Sequence, residues 1–139
     1  MPKELNEVQL QNEVVFIINM HKGEKNPIDR WSFAKRVFGE DAVTDETRND
    51  SNRYDRRVRD MLEWLRVNKE MLICNLGAGH GYYLATSREE YDRWRAYYLG
   101  PSITKYQVVS VTDKAADKAF GEREPQPKPA PEGQFAMFA

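Results

Sequence analysis

The residues best equipped to do chemistry lie close together: Asn52, Arg53, Arg56 and Arg57, followed by Lys69 and His80. A guanidinium pairs bidentately with phosphate or a guanine edge, and a carboxamide pairs with adenine. Asn52, Arg53, Arg56 and Arg57 are therefore candidate nucleic-acid contacts. Lys69, just before a strand, and His80, in a glycine-rich turn, are candidate phosphate contacts. The competing reading is ion pairing along a solvated helix face. Asp55, Arg59 and Glu63 stand at i,i+4 spacing, which gives Arg59 a structural role. Other chemistries find little material. Cys74 is the single cysteine and reads as a small buried hydrophobe. His21 reads as an ordinary residue at a helix end. It stands too far from His80 for metal-ligand spacing. No serine or cysteine nucleophile has a neighbouring base, and Gly77, Gly79 and Gly81 fall inside a hairpin, not in a phosphate-binding loop. The expectation is a protein that is not an enzyme and needs no cofactor and no metal.

Stepping outward, the contacts at 52–57 need a helix to present them. Tyr54, Val58, Met61, Leu62 and Leu65 form one apolar stripe at helical spacing, with Asn52, Arg53, Arg56, Arg57 and Asp60 opposite. This predicts a helix over 51–67, capped by Asp50 or Ser51. Strands are expected over 71–76 and 82–86, joined by the glycine-rich turn. Before them, a helix over 5–21 offers Leu5, Val8, Leu10, Val14, Val15, Ile17 and Ile18 as its apolar face. A second helix over 28–38 buries Trp31, Ala34, Val37 and Phe38 and stops at Gly39. The acidic stretch Glu40–Asp50 either extends the third helix backward from Thr44 or forms a loop. Ser87 with Glu90 makes a capping box for a helix over 88–99, which buries Tyr91, Trp94 and Tyr98. From Ser102 to Phe120 the alanines favour a helix and Val108, Val109 and Val111 a strand; helix is the expectation.

The fold class that follows is mainly α with a β-hairpin. Arg56-Arg57-Val58-Arg59, Leu65-Arg66 and Gly81-Tyr82-Tyr83-Leu84-Ala85-Thr86-Ser87 with Glu89-Glu90 resemble a winged helix-turn-helix module frequent in phage and prophage small proteins. The likeness covers roughly residues 8 to 100. It implies a third helix that enters a DNA major groove, a hairpin wing alongside, and one or two C-terminal helices. It departs at Glu40–Asp50, where a tight turn is usual. The expected organisation is a winged-helix domain with its helical extension over 1–120, a linker over 121–133 and a partner-binding peptide over 134–139.

The linker carries Pro125, Pro127, Pro129 and Pro131 and no large apolar side chain, so it is expected to be disordered and extended. Gln134, Phe135, Met137 and Phe138 follow it. Gln134-Phe-Ala-Met-Phe138 is similar to the peptide by which bacterial replication and repair proteins dock on the sliding clamp. The resemblance implies that Gln134 bonds the groove edge while Met137 and Phe138 fill its pocket. Met137 stands where leucine is commoner, and Phe135 with Ala136 replaces smaller or polar residues.

The net charge of −1 argues against avid coating of nucleic acid. The basic excess is local: Arg53, Arg56, Arg57, Arg59, Arg66 and Lys69 face only Asp55, Asp60 and Glu63. No apolar run reaches the ~18 residues of a membrane span, and Met1–Glu7 lacks the character of a signal peptide. A cytoplasmic protein is expected. The leading expectation is a phage-type accessory protein of DNA replication, contacting double-stranded DNA through 51–67 and 71–86 and recruiting the sliding clamp through its tail. A protein-binding winged helix that modulates host RNA polymerase or a helicase is the alternative, and a phage transcriptional repressor is a third.

Overall fold

The computed structural model describes residues 1–77, 80–100 and 105–122. Most of the expected linker and all of the peptide 134–139 lie outside them. The described chain is a mainly α domain: α1 (Glu7–Ile18), α2 (Arg30–Phe38), a 3-10 turn (Glu40–Ala42), α3 (Arg53–Asn68), β1 (Ile73–Asn75), β2 (Tyr82–Leu84), α4 (Arg88–Leu99) and α5 (Tyr106–Phe120). No described helix is long and apolar enough to cross a membrane.

α1 to α4 each start where a side chain answers the free amides of the first turn, whereas α5 has no such cap. Asn6 and Gln9 form a reciprocal capping box on α1. Its buried face is Leu10, Val14, Ile17 and Ile18, while Val8, expected inside, is 67% exposed. Asp29 caps α2 by accepting from the Ser32 amide. Ile28 therefore stays extended, and α2 begins two residues later than the apolar pattern predicts. α3 is capped by Asn52, not by Asp50 or Ser51: its Oδ1 accepts from the amides of Tyr54 and Asp55. The stretch before it is a loop. Thr44 and Thr47 bond each other there, and Asn49 accepts from the Ser51 amide. At the other end Glu70 takes a left-handed conformation, φ 55°, which turns the chain out of α3 without a glycine.

The hairpin is a partition between two cores. β1 and β2 pair antiparallel with Ile73 opposite Leu84, Cys74 opposite Tyr83 and Asn75 opposite Tyr82. Side chains alternate across a strand. Ile73 and Tyr82 enter the core formed with α1, α2 and α3. Cys74 and Tyr83 enter a second core with Tyr91, Trp94 and Leu99 of α4 and Val109 and Ala116 of α5. α5 is helical, as its alanines argue; Ser102 lies outside the described residues. The outer edge of β2 is taken by the segment between α1 and α2. Gly23 donates to the Leu84 carbonyl, Leu84 to His21, and Ile28 and Tyr82 exchange amide bonds at 2.8–2.9 Å. His21 is thus a turn residue beyond α1, its Nδ1 against the Asn26 carbonyl.

Gly81 makes that exchange possible. Its φ is +81°, and a Cβ there would stand 2.6 Å from the Ile28 carbonyl oxygen. Gly81→Ala is expected to lose at least about 2 kcal/mol, since strain at positive φ adds to a backbone clash. Chemical denaturation measures this, and faster amide exchange at Ile28 and Tyr82 locates it.

Candidate functional site

At 100° per residue, Arg53, Arg56, Asp60, Trp64 and Val67 share one stripe of α3. All of them are exposed. This stripe is the surface from which the expected contacts must act.

The expected contacts divide sharply. Asn52 is buried, its Oδ1 used in the cap and its Nδ2 donated to the carbonyls of Ala42 and Thr47 at 2.9 Å. No group remains for a base edge, so its role is to tie the 40–50 loop to α3. Arg57 is also engaged: it donates to the Leu5 carbonyl and to Glu7 at 3.1 Å, and lies over the Phe38 ring. Arg53 lies exposed over Tyr54, 5.1 Å from the ring centre. Arg56 is exposed and holds no ion pair among the described residues. Lys69 stands at the far end of α3, about 24 Å along the axis from Arg53 at ~1.5 Å per residue, near the Trp64 ring. His80 is exposed at the hairpin tip. The structure brings together only Arg53 and Arg56. Arg59 is bound to Asp55 at 2.9 Å, as its spacing predicts, while Glu63 pairs with Arg66.

The acidic loop lies beside Arg53. Glu46, Asp41 and Arg53 line one shallow depression at the start of α3. Asp41 is held by the N-terminal ammonium and Asp50 by Arg30, leaving Asp45 and Glu46 without ion pairs among the described residues. Carboxylates beside Arg53 weaken the local field toward phosphate.

No family model, curated protein or solved structure matches the chain. The functional reading therefore rests on geometry alone.

That geometry includes a groove that was not foreseen. Between α1 and α3 runs a mainly apolar cleft of about 430 Å³, lined by Val8, Leu10, Gln11, Met61 and Trp64, with Asp60 at its rim. Val8 is 67% and Trp64 42% exposed, and Val67, one turn beyond Trp64 on α3, is exposed as well. A sequence signal existed for Trp64 and Val67: both fall off the Tyr54–Leu65 stripe. α1 carried the same signal: Leu10, Val14, Ile17 and Ile18 share one stripe at i, i+4, i+7 and i+8, and Val8 falls off it.

Among the described residues no cluster of His, Cys, Asp and Glu is suited to a metal. Cys74 is fully buried, and burial pushes its thiol up to about 12, so it stays protonated and inert.

Proposed function

We propose that this domain is a protein-binding module whose docking surface is the α1–α3 groove. The observation that carries the reading is the exposed Trp64 beside Val8 and Val67, flanking an apolar cleft. Large side chains held out of the core by a rigid helix pair are the pattern of an anchor surface. A groove between two helices suits an amphipathic helix or apolar peptide laid along it, with Asp60 at the rim selecting a basic flank. Bacterial RNA polymerase and a replicative helicase are the partners to test for the groove, with the sliding clamp as the comparison.

The test is calorimetric titration against those three proteins and against a mixed-sequence duplex, at about 50 and 200 mM salt. Trp64→Ala is expected to weaken partner binding by about thirty-fold, the loss of ~2 kcal/mol typical of an aromatic anchor. Arg53→Ala with Arg56→Ala is expected to change it little. Duplex binding that needs the two arginines, and collapses with salt, would overturn this reading.

A DNA-binding winged helix is the second reading, favoured by one specific arrangement. Three helices precede the hairpin, and an extended segment at 21–28 flanks β2, as in winged helix-turn-helix domains. In that reading Arg53 and Arg56 face the major groove and His80 the backbone. Against it stand the α4–α5 pair covering one face of the hairpin and the acids beside Arg53. The recruiting peptide Gln134, Phe135, Met137 and Phe138 lies outside the described residues and is proposed as a separate arm. Deleting 134–139 is expected to abolish sliding-clamp binding and leave the melting temperature unchanged. Binding that survives the deletion would move that contact to the folded domain.

A further inference from the structure

A second cleft lies on another face, between the Lys22–Asn26 loop, the end of the hairpin and α4. Its volume is about 670 Å³, in the ~300–1,000 Å³ range of small-molecule sites. Its wall includes Tyr83, whose hydroxyl is buried and has no hydrogen-bond partner among the described residues. An unpaired buried hydroxyl is costly, and in a native structure it calls for an explanation. We propose that this cleft binds a small ligand carrying a phosphate group, with the Tyr83 hydroxyl as one of its donors.

The charges around the cleft select the ligand. Glu90 is already committed: it accepts from the Glu24 and Thr86 amides and from the Thr86 hydroxyl at 2.9–3.1 Å. Glu24 is held in the fork of Arg93 by a short, partly exposed ion pair. Lys22 and Lys25 are exposed and carry no ion pair among the described residues, and His80 closes the same rim. The groups left to meet a ligand are therefore cationic, plus one hydroxyl. A phosphate offers acceptor oxygens enough for two ammonium groups, a guanidinium fork and a phenol together. The Glu24 carboxylate occupies the Arg93 fork as an internal anion would. An incoming phosphate competes for that fork and displaces Glu24, while Lys22 and Lys25 offset the added negative charge. Leu76 gives the ligand body an apolar wall.

The probes are inorganic phosphate, adenosine monophosphate and a mixed-sequence duplex, titrated calorimetrically into the full chain. Saturable binding of a free phosphate compound is expected, weakened at least tenfold by Lys25→Ala with Arg93→Ala. Tyr83→Phe is the sharper variant. It removes an unpartnered hydroxyl, so the free protein should melt no lower than wild type while phosphate affinity falls about five-fold. No saturable binding of either free compound would overturn the proposal, as would unchanged affinity in Tyr83→Phe. Binding of the duplex alone, lost with the lysine and arginine changes, would also overturn it and make the cleft a nucleic-acid backbone contact.

Discussion

Arg66→Ala is expected to lose about 2–3 kcal/mol of folding stability, below the ~3–5 kcal/mol for breaking a fully buried ion pair because the Glu63 side chain keeps 42% of its surface exposed. Arg66 is 7% exposed and joins three elements. Its Nε donates to the Ile73 carbonyl at 2.7 Å, and its Nη1 meets Glu63 at 2.8 Å. Its guanidinium lies 5.0 Å from the Trp94 ring centre, and Tyr98 stacks on Trp94 while donating to Glu63 at 2.6 Å. Truncation would strand the Ile73 carbonyl, leave Glu63 without its cation and open a void beneath Trp94. Arg66→Lys keeps the charge but cannot bond both partners from one planar fork, so it should forfeit more than half of the same amount. Urea denaturation of the three proteins decides it. A loss below about 1 kcal/mol for alanine would mean that the network is dispensable.

The second large effect centres on Asp55, whose carboxylate is 0% exposed. It receives Arg30 Nε at 3.1 Å and Nη2 at 2.5 Å, and Arg59 Nε at 2.9 Å. Arg30 also reaches Asp50 and lies 4.2 Å from the centre of the Trp31 ring. This cluster ties the start of α2 to the start of α3. Asp55→Ala is expected to lose about 3 kcal/mol, the low end of the buried-pair range, because both guanidiniums keep solvent access. Asp55→Asn should lose less. A double-mutant cycle with Arg30→Ala would give a coupling of at least about 1 kcal/mol. Additive effects would show that the two residues act separately.

Both clusters show why arginines on an amphipathic helix were misread in part. A period of 3.6 identifies which apolar residues share a face, and Val58, Met61, Leu62 and Leu65 are buried as predicted. It does not say which charged residues at the margins of that face find partners. Asp55 and Arg66 flank the stripe and became buried because Arg30, the Ile73 carbonyl and Trp94 arrive from elsewhere in the chain. Arg57 was lost to the α1 terminus in the same way. Arg59 was legible because its partner Asp55 is four residues away, and i,i+4 geometry is intrinsic to the helix. Asn52 illustrates the opposite failure. Its position before Tyr54 and Asp55 is a cap position, yet Asp50 and Ser51 satisfy the same rule, and only the loop's carbonyls at Ala42 and Thr47 select among them.

By itself the sequence determined the order and type of the elements as far as α4, three helices, a hairpin and a fourth helix, while over 102–120 its alanines favoured a helix against a competing strand pattern. It did so because caps, glycines and apolar periodicity act within a few residues of one another. Tertiary structure alone decided that the hairpin divides two cores, that the acidic loop lies beside Arg53, and that Val8 and Trp64 flank one groove. It also decided that Lys22, Lys25, Tyr83 and Arg93 share a cleft. Lys22 and Lys25 lie about 60–70 positions from Tyr83 and Arg93, and nothing local to either pair encodes which neighbours the folded chain will bring.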